Sequence, residues 1–171
     1  MKKSIVLLTI FLILSGCSQM GNQPESNPAN DSVQKYLALA ENDSLDFKKR
    51  VQYNDKALSF IDFRRNDSVV RRSLDKINYL YLKTETFPKF KRIIKIYQKK
   101  VFDKNDSLGI AKFHKYKGLY FHFLKINDSA YFHYSKAEGY FQSLNNKYEE
   151  AKILLNKSYV QNDYNDYLGA E

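Results

Sequence analysis

The chain has 171 residues, with 28 Lys and Arg against 19 Asp and Glu, a formal net charge of +9, and no Trp. Six Gly, three Pro and one Cys disfavour a turn-rich β fold and exclude an intramolecular disulfide framework, while 14 Tyr and 12 Phe supply apolar bulk for one packed domain. The positive charge points to anionic partners or surfaces.

The first seventeen residues form a unit of their own. Met1-Lys2-Lys3 is basic, and Ile5–Leu14 is apolar except for Thr9. Ten such residues in a helix would reach about 15 Å, half of a bilayer core about 30 Å thick, so the run fits a signal-peptide core rather than a span. Leu14-Ser15-Gly16-Cys17 resembles a bacterial lipobox, in which the cysteine is acylated and becomes the mature N-terminus. That resemblance implies a signal peptide over 1–16 and lipidation of Cys17. It also implies a cell-envelope location facing the periplasm and a membrane attachment through the acyl chains. Nucleic acid is then an unsuitable partner for this segment. Residues 17–30, with Gln19, Gly21, Asn22, Pro24, Ser26 and Pro28, read as a disordered tether.

From Asp31 onward apolar residues recur at helical spacing, beginning with Val33, Tyr36, Leu37 and Ala40. Asn-Asp-Ser occurs at 42–44, 66–68, 105–107 and 127–129, and each copy reads as a helix start because its side-chain oxygens can accept first-turn N–H groups. Thr86-Phe87-Pro88 reads as a fifth start, since Pro is tolerated in a first turn. The spacing predicts helices over 31–41, 44–62, 68–84, 87–102, 107–125, 129–144 and 147–162, with short connections that force antiparallel hairpins. A shift of 40 residues superposes Ala111-Lys112 on Ala151-Lys152, and a shift of two such periods superposes Lys56-Ala57 on Lys136-Ala137, the signature of stacked helix pairs.

Within this pattern Ala111–Leu144 resembles a tetratricopeptide repeat. Gly118 stands at the small position of the first helix and Phe121 at the aromatic position three residues later. Ala130, Tyr134 and Ala137 take the small, large and small positions of the second. The following copy matches through Ser158 and Ala170. The preceding one carries Asn78, Phe90 and Tyr97 where small residues are usual, and His114 replaces the usual aromatic. The resemblance implies an all-α superhelix of about 3.5 hairpins over 31–171, with a concave groove that holds a protein or peptide. Asp166–Glu171 begins the second helix of a fourth pair, which suggests an N-terminal part of a longer protein. The layout is also similar to the extracytoplasmic sensory region of bacterial histidine kinases and LuxR-type regulators. The alternative is a stand-alone envelope-assembly scaffold. Ser18 after the cysteine points to the outer membrane, whereas a downstream span would place the chain in the inner one.

No catalytic motif, P-loop or dinucleotide fingerprint is present, and no cofactor is implied. His114 and His122 lie eight residues apart on one predicted helix, about 12 Å along its axis, too far to share a metal. The aromatic run between Phe113 and Phe141 reads mainly as inter-helix packing, with some rings left for a groove. The basic amphipathic stretch Lys89–Lys104 stands out. Lys89, Lys91, Arg92, Lys95, Lys99 and Lys100 interleave with Phe90, Ile93, Ile94, Ile96 and Tyr97. It is either a solvated outer face or a contact for anionic headgroups or an acidic partner.

Overall fold

The structure, a computed structural model, describes residues 28–168, with side chains as far as Asp163. The signal peptide, Cys17 and Ala170 lie outside the described residues. Seven helices follow in chain order: α1 Pro28–Glu41, α2 Phe47–Ser59, α3 Ser68–Lys83, α4 Phe87–Asp103, α5 Ser107–Phe123, α6 Asn127–Ser143 and α7 Lys147–Leu168. None is long and apolar enough to cross a membrane. α1 starts three residues before the expected 31, with Pro28 in its first turn, where a missing N–H costs nothing.

Two of the four Asn-Asp-Ser copies act as caps. Asp67 accepts from the N–H groups of Val69 and Val70, and Asp106 from that of Gly109. The copy at 42–44 does not start α2. Asn42 folds back to accept the Ser44 N–H at 2.9 Å, Asp43 pairs with Arg50 and Lys83, and Asp46 caps the helix instead. The copy at 127–129 lies inside the first turn of α6, whose cap position is Ile126 and has no side-chain bond.

The turns carry a period of their own. Glu85, Asn105, Lys125 and Asn145 all have positive φ, between 48° and 58°, at intervals of twenty residues. Each sits just past a helix end. The N–H of the next residue closes a bond to the carbonyl five positions back, Thr86 to Tyr81, Asp106 to Val101, Ile126 to Phe121 and Asn146 to Phe141, at 2.8–2.9 Å. These are Schellman turns, which satisfy orphan carbonyls and reverse the chain. Four identical reversals at one spacing set the antiparallel pairing of α3 to α7 and match the 40-residue period of the sequence.

The helices pack in two layers. α1, α3, α5 and α7 touch in succession, while α2, α4 and α6 have no close backbone contact with one another among the described residues. The touching layer is the shorter arc, so the stack curves around the odd-numbered helices. Leu37, Leu74, Ile77, Tyr81, Phe90, Ile93, Tyr97 and Val101 fill the interior of α1–α4. Ala111, Ala130, Tyr134, Ala137, Phe141, Ile153 and Val160 fill the interior of α5–α7. Side-chain size explains the uneven spacing of the pairs. Gly118, Ala130 and Ala137 let α5 and α6 make the most extensive helix contact among the described residues, whereas Phe90 and Tyr97 stand at the equivalent places between α3 and α4.

Candidate functional site

The repeat-pattern residues divide by position. Gly118 lies against Tyr134: a Cβ on Gly118 would fall 2.5 Å from the ring Cδ1. Tyr134, Ala130 and Ala137 are fully buried, and Phe121 is half-buried, stacked on the His133 ring at 5.5 Å. Ser158 is exposed on α7, its hydroxyl donating to the Leu155 carbonyl. Of the aromatic run, Phe113, Tyr116, Tyr120, Tyr134 and Phe141 are buried, while Phe123 and Phe132 are exposed.

The inner face, built from the odd-numbered helices, is laced by ion pairs. Lys76 meets Glu41, Lys83 meets Asp43, Lys112 meets Asp75, Lys115 meets Glu149, and both His122 and Lys125 meet Asp163. Asp75 is buried and holds the centre, also accepting from the Tyr116 hydroxyl at 2.7 Å. Hydrogen bonds from Lys83 and Lys125 hold Asp43 and Asp163 below the usual carboxylate range. Charge on this face is therefore largely matched within the fold. A pocket of about 360 Å³ remains between α1 and α3, lined by Gln34, Val69, Arg72, Ser73 and Lys76.

His114 and His133, on facing helices, bring their Nδ1 atoms to 2.9 Å, one ring donating and the other accepting. Both are neutral near pH 7. Burial pushes each down to about 4, Lys136 adding to the effect on His114, and His114 and Lys117 to that on His133. The pairing was readable in principle, because residues at similar distances from a hairpin turn face each other. Among the described residues no group of three or more His, Cys, Asp or Glu is placed to hold a metal ion.

The outer face differs in charge. Along α4, facing α2 and then the α2–α3 connection, runs a groove with two compartments, of about 530 Å³ and 430 Å³, that share Phe63 and Ile96. Leu58, Ile93 and Ile96 form its floor, and Phe63 stands 41% exposed at its middle. Five of the six expected basic residues lie on the exposed or half-exposed side of α4; the sixth does not. Lys100 is buried, its amine donating to the Phe63 and Arg65 carbonyls at 2.8 and 2.6 Å, which ties α4 to the α2–α3 connection. It is a structural tie rather than a surface cation. Lys89 pairs with Asp55 across the groove, and Lys99 pairs with Asp103. Lys91, Arg92 and Lys95 are exposed and pair with no carboxylate among the described residues. Lys91 instead lies 5.6 Å from the Tyr120 ring.

No known protein family matches this chain, and no characterised protein or solved structure is significantly similar to it.

Proposed function

We propose that the chain is a lipid-anchored helical-repeat binding module of tetratricopeptide type. It holds a protein or peptide segment at the periplasmic side of a bacterial membrane and carries out no reaction itself. The observation that supports this most is the two-layer stack. Its Schellman turns recur every twenty residues from α3 to α7, and the stack leaves a continuous inner face and an open outer groove. Stacks of this kind offer extended surface for a partner. The lipobox-like Leu14-Ser15-Gly16-Cys17 supports the anchor.

Two settings fit the reading: the sensory input of a longer signalling protein, or a scaffold in envelope assembly. A coding sequence that continues past Glu171 into a hydrophobic span and a kinase or DNA-binding module favours the first. Recovery of a stable envelope complex on the 171-residue chain favours the second. The reading itself is tested by Cys17→Ser in a bacterial host. Release from the membrane fraction is expected, and unchanged fractionation would overturn the anchor.

A further inference from the structure

We propose that the outer groove between α2 and α4 docks an acidic, amphipathic segment of a partner protein. The proposal rests on the binding-module reading and names the chemistry of what is bound.

Shape comes first. α2 and α4 make no close backbone contact with each other. Polar ties mark the two ends of the gap between them, the Lys89–Asp55 ion pair at one and the Lys100 amine on the Phe63 and Arg65 carbonyls at the other. The intervening stretch of α4, from Lys89 to Lys100, is about 16 Å long at 1.5 Å per residue, room for about three turns of a helix. Its apolar floor is recessed between two helices, where one side of an amphipathic helix can reach it and the plane of a bilayer surface cannot.

Charge decides the sign of the ligand. Arg92 and Lys95 stand one turn apart beside Ile96, and neither has a carboxylate partner among the described residues. Like charges at this spacing repel. The other groove cations are matched: Lys89 by Asp55, Lys99 by Asp103 and Arg64 by Asp62. On the far side of α4, Lys117 is half-buried, 4.5 Å from the Phe121 ring centre. Burial and the nearby Lys95 and Lys91 pull it below the usual lysine range. α4 is thus flanked on both sides by positive charge that no carboxylate among the described residues pairs with, unlike the inner face. A carboxylate laid between Arg92 and Lys95 would relieve that repulsion while an apolar neighbour covers Phe63 and Ile96.

The test uses the full chain carrying Cys17→Ser, so that no acyl chain contributes. The probe is a fluorescein-labelled fifteen-residue peptide with Leu on one helical face and Glu on the other, and a second peptide has Gln for every Glu. Anisotropy titrations should show salt-sensitive binding of the Glu peptide, weakened at least about tenfold for the Gln peptide. The paired change Arg92→Glu with Lys95→Glu should weaken it by a similar factor, and so should Ile96→Asp. Lys35→Glu with Lys48→Glu should leave it unchanged at equal net charge. Arg92 and Lys95 are exposed, so the variants should melt with the parent. Equal affinity of the Arg92/Lys95 variant, equal affinity of the two peptides, or no binding of either overturns the proposal. So does charge-dependent uptake by phosphatidylglycerol vesicles with no peptide binding. Because Cys17 is absent from these titrations, their failure is separable from failure of the membrane anchor.

Discussion

Replacing Gly118 by Ala tests the packing of the closest helix pair. The added Cβ would lie 2.5 and 2.6 Å from Tyr134 Cδ1 and Cε1, against about 3.5–4.0 Å for carbon atoms at rest. The ring must therefore retreat by about 1 Å or α5 must move away. Tyr134 is fully buried, and interiors this dense give little ground, so the overlap costs about 1–3 kcal/mol. Ala in place of Gly within a helix returns about 1 kcal/mol. The net expectation is destabilisation by about 1 kcal/mol, and by more if the ring cannot move. Gly139 provides the comparison: it is exposed on α6 and a Cβ there meets nothing within 4 Å. Gly139→Ala should stabilise by nearly the full helical preference, about 1 kcal/mol. Urea unfolding followed by circular dichroism separates the two. In a Tyr134→Ala background the obstacle is gone, and Gly118→Ala should turn stabilising. If Gly118→Ala stabilises the parent as much as Gly139→Ala does, the assigned contact between α5 and α6 is wrong.

Three further outcomes follow from single features. Asp75→Ala strips the partner from the buried Tyr116 hydroxyl and from Lys112; unfolding should show a loss of about 3 kcal/mol, and a loss under 1 kcal/mol would mean the pair is solvated. Glu85 is exposed and holds φ at 51°, so Glu85→Gly should gain about 0.5–1 kcal/mol by relieving the left-handed strain; a loss of stability would contradict that backbone. His114 and His133 are lowered from 6.5 to about 4 in the fold. The unfolded chain takes up protons first as pH falls, so their contribution is full above about pH 6.5 and declines toward pH 4. After allowance for partial exposure the pair accounts for about 2–3 kcal/mol. Stability should fall from pH 7 to 5, and His114→Gln with His133→Gln should flatten that slope; an unchanged slope would remove the pair from the explanation.

The seven helices were legible because their apolar spacing is regular and their connections are short. α7 runs unbroken to Leu168 instead of ending at 162, so Asp166, Tyr167 and Leu168 continue that helix rather than opening another. The late start of α2 has a local reason. Asn42 and Asp43 spend their side chains on Ser44, Arg50 and Lys83 rather than on a cap, which pushes the start of α2 to Phe47. Gly118 and its small companions were legible as a close crossing, but not the ring of Tyr134 as the surface they fit. The groove was half-visible. The basic stripe of α4 can be read along the chain, yet its apolar floor joins Leu58 and Phe63 to Ile96 across more than thirty positions. Lys100 shows the limit most clearly: by charge it belongs with Lys99, yet the helical period places it between Ile93 and Ile96, and its amine serves two carbonyls of the preceding connection. The His114–His133 pair depends on register across a turn, which periodicity within one helix does not report.

The central structural claim is a stack of twenty-residue helix–turn units. It is tested most directly by backbone chemical shifts at Glu85, Asn105, Lys125 and Asn145. Left-handed shifts at all four, with helical shifts between them, are expected. Right-handed or extended shifts at two or more would break the repeat register, and with it the two-layer arrangement on which the binding reading stands.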